Sequence, residues 1–307
     1  MKFFFKLLIS VALLFLVFRY VHINDVSSLV FSYTPQVLIE VIILQFLALA
    51  VAALKWQVFL KEHSFKKLFR FTLVGQFYSL ILPGQLLGEM AKAYRFSTGE
   101  EGRERLVASV AMDKITGIAG LLLVAVVGMI CTKTELLGNW KIAIIVALII
   151  VLVGIFSFRF ESVRSRVVRY LPFGRTLTPF MDAYHEYAKD TMLIARTVFL
   201  GVIFQLLAVW VTMILAHSLG INISPFDWFW IFSLVSVAVF IPITIGGLGV
   251  REGIFVGLLG FFAVPSAEAV VLSLSIFALQ ILAGSVGGIF EAWHLVGSRD
   301  KLEIRTK

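Results

Sequence analysis

The sequence predicts an all-α integral membrane protein with six transmembrane helices and two oppositely oriented broken helical hairpins. Three observations carry that prediction. The 307-residue chain is 60% hydrophobic and only 15% charged, with a mean hydropathy of +0.96. Soluble domains sit near 45–50% apolar and about 25% charged. Runs of about 20 mostly apolar residues, the length needed to cross a bilayer, recur along the whole chain. Two further apolar runs are interrupted by proline and glycine.

The first span is 3–21, within "MKFFFKLLISVALLFLVFRYV". The "HINDVSS" that follows has no small-residue cleavage site, so a retained helix is expected rather than a removed signal. Further spans are read at 37–60, 106–131, 141–159, 197–219 and 267–296. The broken segments are 68–96, with "LILPGQLLGEMAKAYRFS", and 228–264, with "IPITIGGLGVREG". The long polar connection 160–196 holds "YLPFGRTLTPF" and then an amphipathic "MDAYHEYAKD", expected to lie at the surface. Residues 1–307 read as a single transmembrane domain, with halves 1–159 and 197–298 joined by that connection.

Basic residues set the orientation. Of 27 Lys and Arg, 22 fall at the start, on both flanks of 68–96, from Arg159 through Arg196 and at the end. By the positive-inside rule these lie in the cytoplasm, so both termini are expected inside, in the cytoplasmic membrane. Segment 68–96 then enters and leaves from the cytoplasm. Segment 228–264, with no Lys or Arg beside it, enters and leaves from outside. The sidedness is the same whether each is a re-entrant hairpin or two thin crossings. One broken segment per half, oppositely oriented, is the pattern of an inverted repeat.

A break in a membrane helix must be covered by protein or open to a polar cavity. Pro83 and Gly84 end one half-helix, and the next begins near Gln85. Pro242, Gly246, Gly247 and Gly249 make the second break, with a half-helix from Val250. Both new N-termini are expected to point into the bilayer. Each would carry roughly +0.5 of an elementary charge and free N–H groups, suited to an anion such as phosphate. The alternative is that the glycines only allow close helix packing.

Charges inside apolar segments sharpen the expectation. A charged residue at the centre of a membrane helix costs about 2.5–3.5 kcal/mol on translocon scales. Asp113 and Lys114 lie eight and nine residues past Arg105, on the order of 12 Å into a core about 30 Å thick. Helical neighbours point about 100° apart, so Asp113 with Lys114, and Arg251 with Glu252, are each expected to reach another segment. Asp113 with Arg251 is the pairing expected. Ser109, Asp113, Gly117 and Gly120 share one helix face. Glu89, Lys92 and Arg95, spaced by three, can line one side of the half-helix after Gln85, with Arg95 read as interfacial. Glu291, Glu40 and His217 are read as interfacial, Gln45 and Gln205 as interhelical partners, and Trp140, Trp228, Trp230 and Trp293 as interface anchors. Candidate binding residues are therefore Gly84, Gln85, Gly88, Glu89, Lys92, Asp113, Lys114, Gly246, Gly247, Gly249, Arg251 and Glu252.

Other functions find little support. Cys131 is the only cysteine, so no intramolecular disulfide is possible. There is no Walker loop, HExxH or GxSxG, and histidines are scattered without metal spacing. No cofactor, metal or nucleic acid is expected, and the excess of basic residues reads as membrane topology.

The motifs "LPGQLLGEMAKAYRFS", "SVAMDKITGIAGLLL" and "IPITIGGLGVREGIFVGLL", with the following "VPSAEAVVLSL", resemble the lysylphosphatidylglycerol synthase transmembrane, or flippase-like, family. The resemblance runs from about residue 70 to 290. It implies membrane helices that help move an anionic or polyprenyl-linked lipid headgroup across the bilayer. Larger members carry a soluble aminoacyl-transferase domain; this sequence shows none, so it is not expected to charge lipids itself. The first motif usually ends in Arg where Lys92 stands, and the second usually pairs its acid with Arg where Lys114 stands. Charge survives in both, but bidentate phosphate contact is weakened.

The expectation is a lipid translocase, with Lys114 and Arg251 countering the phosphate. Asp113, Glu89 and Glu252 would hold the basic groups or bind a cationic headgroup or coupling ion. One rival is a membrane-embedded enzyme acting on a lipid phosphate or glycosyl bond, with Asp113 or Glu252 as acid or base. Another is a non-transporting partner of a glycosyltransferase or lipid-modifying synthase.

Overall fold

A computed structural model describes residues 29, 32–82, 85–97, 103–134, 138, 140–157, 185–240, 244 and 246–305. Span 3–21, Pro83, Gly84, Pro242 and most of the connection 160–196 lie outside these residues. The described residues form helices and turns, with no strand among them. In chain order the helices are α1 (Pro35–Phe59), α2 (Phe65–Ile81), α3 (Gln85–Ser97), α4 (Arg103–Cys131), α5 (Trp140–Ser157), α6 (Thr191–Ser218), α7 (Pro225–Phe240), α8 (Val250–Gly260) and α9 (Ser266–Arg305).

Local chemistry sets many of the ends. Thr34, Ser64 and Asp190 cap α1, α2 and α6, each side chain accepting from a backbone N–H three residues on. Pro35 at the first turn of α1 gives up no hydrogen bond. Helices α2 and α7 both stop two residues before a proline, at Ile81 and Phe240. A residue preceding proline is pushed out of helical conformation, and Leu82 is extended, with φ −83° and ψ 145°. After the second break, Gly246, Gly247 and Gly249 have φ of 62°, 76° and 84°. Only glycine takes such angles without steric cost, so this turn into α8 requires them.

Among the described residues, four stretches are long and apolar enough to cross a membrane: Pro35–Phe59, Arg105–Cys131, Thr191–Ser218 and Ser266–Trp293. Lys141–Gly154 and Pro225–Phe240 are apolar but shorter. Helices α2 and α3 rise about 26 and 20 Å, and α7 and α8 about 24 and 17 Å, each less than the bilayer core of about 30 Å. The outer faces are greasy. Ile39, Ile43, Ile150, Val153 and Phe199 are exposed, and Ile142 is 71% so. Water would not tolerate so much apolar surface, and lipid does. The protein is a multi-pass membrane protein.

The arms are exchanged between the halves. α2, the first arm of one broken segment, packs along α9; α7, the first arm of the other, packs along α4. α1 and α6, which precede the two broken segments, pack on each other. Glycines permit the close crossings. A methyl on Gly287 of α9 would land on the Leu73 carbonyl of α2, and one on Gly128 of α4 would sit 2.7 Å from the Phe226 carbonyl of α7.

Two apolar clusters lie at opposite ends of the bundle. One gathers Trp56, Phe59, Leu68, Phe96 and Leu106. Tyr187 and Ala188 join it, so the piece read as a surface amphipath is docked into protein at 185–189. The other cluster gathers Met129, Leu215, Trp230, Phe255 and Val270. Trp228 and Trp230 are core residues, each 1% exposed, not the interface anchors expected. Trp230 has its polar handle satisfied inside, donating to Asp227 at 3.0 Å. Trp293 is exposed as an anchor would be, and the Trp140 side chain lies outside the described residues.

Candidate functional site: a charged layer around a central cavity

The buried charges occupy the layer between the two apolar clusters. α3 returns along α2, and Gly88 is what lets it: a methyl there would overlap Ser79. That approach aims Glu89 inward, where its carboxylate meets two lysines. Lys92 Nζ is 2.6 Å from Oε2 and Lys114 Nζ is 3.0 Å from Oε1. Lys92 also stands 4.1 Å above the Trp56 ring, a cation–π contact in a dry setting. Trp56 is itself fixed, donating to Ser109 Oγ at 3.1 Å.

Asp113 does not meet Arg251, as the sequence suggested. It faces α1, where Lys55 Nζ lies 3.2 Å from its carboxylate and donates to its backbone carbonyl at 2.7 Å. The physical reason is the packing of α4 on α1, which leaves Asp113 a nearer cation than any on α8. Lys55, which ends the apolar run "AVAALKW", is one of the 22 basic residues that set the orientation, yet the structure buries it.

Arg251 and Glu252 form a second cluster at the start of α8. Glu252, fully buried, folds back so that Oε2 accepts from the Gly249 N–H at 2.6 Å. A donor expected to greet an anionic ligand is thus already used by the helix's own carboxylate. Ser273 of α9 donates to Glu252 Oε1 at 2.8 Å and accepts from Arg251 Nε at 3.0 Å. Gln280, two turns further on, accepts from Arg251 Nη1 at 3.1 Å. The guanidinium lies 4.9 Å from the Phe277 ring centre. Glu252 Oε1 and Arg251 Nη2 are 3.6 Å apart, so these sequence neighbours do approach each other, because the capping fold turns Glu252 back. Each also reaches α9. Nη2 makes no hydrogen bond, although Arg251 is 3% exposed.

A cavity of about 180 Å³ joins the two clusters. Glu89 and Lys114 line it from one half and Arg251 from the other. Gln45, Gln76, Gln205 and Gln280 add amide groups, and Phe232, Val235 and Phe240 give it apolar wall. Gln45 and Gln205, read as interhelical partners, face this space. Asp113, Lys92 and Glu252 stand behind the wall as partners of other residues. Gly246, Gly247 and Gly249 form the turn that presents Arg251. Gly84 lies outside the described residues, and Gln85 is described only as the first residue of α3. Among the described residues no group of His, Cys, Asp and Glu could hold a metal ion.

Other charges have quieter roles. Glu291, read as interfacial, is buried, 2.6 Å from Arg95 Nε and accepting from Tyr78 at 2.8 Å. Arg95 is thus tied to α9 rather than left at the interface. Glu40 is exposed, and His217 bonds Asn222 at 3.1 Å on the surface. Ser273 and Gln280 were missed. Their spacing of seven in an otherwise apolar helix, "SLSIFALQ", marks one face and was a usable signal.

Buried charges joined across two halves of a membrane bundle, with glycine breaks before α8, fit a known sequence pattern. Residues 3–288 match the family described as lysylphosphatidylglycerol synthase TM region. The chain belongs to that family. No curated protein matches the chain. In this member of the lysylphosphatidylglycerol synthase transmembrane-region family, the three motifs build the one charged layer: "LPGQLLGEMAK" supplies Glu89 and Lys92, "SVAMDK" supplies Asp113 and Lys114, and "GGLGVRE" supplies Arg251 and Glu252.

Proposed function

We propose that the protein moves an anionic lipid headgroup across the cytoplasmic membrane, with both termini in the cytoplasm. The observation that carries this reading is one cavity lined by Lys114 from the first half and Arg251 from the second. A cation in hydrocarbon is costly, and placing one from each half on a shared space is the economy of a transport path. The exchanged packing of α2 on α9 and α7 on α4 supports an inverted repeat, and α2–α3 and α7–α8 act in it as hairpins opening to opposite faces. The headgroup sits in the cavity and the acyl chains stay in lipid.

Asp113 and Glu252, the acid or base of the rival enzyme reading, are held by Lys55 and by Gly249 with Ser273, away from the cavity wall, and Glu89, on the wall, is held by Lys92 and Lys114. That favours transport over bond cleavage. The test is reconstitution of the purified chain into vesicles with fluorescent anionic and zwitterionic lipids, scored by chemical quenching of the outer leaflet. Faster transfer of the anionic lipid is expected. Transfer no faster than in protein-free vesicles would sink the reading.

A further inference from the structure

Among the described residues, the charged layer is not neutral. Lys55, Lys92, Lys114 and Arg251 stand against three carboxylates, Asp113, Glu89 and Glu252. Lys55 is matched by Asp113, and Arg251 by Glu252. The surplus positive charge falls on Glu89, which two lysines share. These two are not alike. The Lys92 side chain is 3% exposed, stacked over Trp56 and off the cavity wall. The Lys114 side chain is 25% exposed, on the wall and further from the carboxylate. Arg251 lines the same space, and its Nη2, 3.6 Å from Glu252, lacks a hydrogen bond.

We propose that a singly charged phosphodiester entering the cavity takes Lys114 from Glu89, and that Lys92 makes the exchange possible by keeping Glu89 compensated. This rests on the reading of the cavity as a lipid-headgroup site. A buried carboxylate stripped of every cation is strongly destabilised, so with one lysine alone Lys114 could not leave. Lys92 stays, and the departing Lys114 and the guanidinium of Arg251 hold the phosphate between them. One negative charge cancels the surplus. Two would leave a net negative charge in a dry interior, so a phosphomonoester, whose second pKa is about 6, is disfavoured.

The experiment is lipid binding by the purified full chain in zwitterionic micelles at pH 8, read as a ligand-induced shift in melting. The probes are phosphatidylmethanol, phosphatidic acid, phosphatidylcholine and, as a soluble phosphodiester, dimethyl phosphate. Phosphatidylmethanol is expected to bind about tenfold tighter than phosphatidic acid. Lys92→Met should weaken phosphatidylmethanol by a similar factor, and Lys92→Met with Glu89→Gln should restore it, since Lys114 then has no carboxylate to leave. A merely structural Lys92 would not be rescued in this way. If Lys92→Met does not fold, Glu89→Gln alone decides: it should bind phosphatidylmethanol more tightly than the native chain. Unchanged affinity in Lys92→Met, no rescue in the double variant, weaker binding by Glu89→Gln, or a preference for phosphatidic acid would each overturn the exchange. Dimethyl phosphate binding as tightly as phosphatidylmethanol would keep the exchange and remove the lipid. No saturable binding by the native chain, or equal binding of phosphatidylcholine, would overturn the cavity reading and the inference with it.

Discussion

Lys55 holds Asp113 at two points, its Nζ lying 3.2 Å from the carboxylate and 2.7 Å from the backbone carbonyl of the same residue. The pair joins α1 to α4 in the protein interior, away from the cavity wall. Breaking one partner of a buried pair leaves an uncompensated charge and costs about 3–5 kcal/mol. Lys55→Met is therefore expected to lower the melting temperature sharply, and Lys55→Met with Asp113→Asn to recover most of the loss. Equal instability of the single and double variants would show that the pair is not what matters. An Asp113 and Arg251 charge swap should rescue nothing.

Helix crossings make the second prediction. Gly287 stands where α9 meets the Leu73 carbonyl, and any side chain must push α2 away. Gly287→Val is expected to destabilise by about 1–3 kcal/mol, as overpacking does. Gly257 is the control: a methyl there meets nothing within 4 Å. Gly257→Ala, inside α8, should be neutral or stabilise by up to about 1 kcal/mol. Thermal unfolding in one detergent compares the two.

Much of this was legible in the sequence because the bilayer makes strong demands. Apolar length alone found α1 and α4 to within three residues at each end, and α6 to within six. Proline and glycine found both breaks, since Ile81 and Phe240 end their helices two residues ahead of Pro83 and Pro242. Charge inside apolar runs pointed to Lys114 and Arg251, and three-residue spacing after the first break to Glu89, all three of which line the cavity. Partner choice was not legible. Asp113 and Lys55 lie 58 residues apart, and only the packing of α1 on α4 makes them neighbours. Arg251 meets Ser273 and Gln280 because α8 lies on α9. The tryptophans misled for a related reason: Trp228 and Trp230 sit at a helix start, where anchors belong, but the crossing with α4 covers them.

Asp227 offers a stability test away from the cavity. It accepts from Thr132 at 2.5 Å, Thr134 at 3.0 Å and Trp230 at 3.0 Å, pinning the end of α4 to the start of α7. Hydrogen bonds to a charged group are worth about 1.5–3 kcal/mol each. Asn in its place keeps one acceptor oxygen and brings an amide that cannot accept. Asp227→Asn should lower the melting temperature while leaving lipid affinity unchanged below it. A change in affinity with no change in melting would refute the structural role.

Arg251 separates charge from geometry. Its Nε and Nη1 are held by Ser273 and Gln280, two hydrogen bonds that fix the plane of the guanidinium and so the direction of Nη2, which makes no hydrogen bond of its own. Lysine keeps the charge but has no planar fork to be held that way. Arg251→Lys should fold, because Glu252 remains paired, yet lose anionic lipid transfer by about tenfold or more, the equivalent of about 1.4 kcal/mol. Ser273→Ala removes the acceptor for Nε and the donor to Glu252 together. It should lower transfer in the same direction with the arginine intact. Arg251→Lys with full transfer would mean that a point charge suffices and that the Ser273 and Gln280 contacts serve packing alone. Normal transfer in Ser273→Ala would show that Gln280 can orient the guanidinium without it.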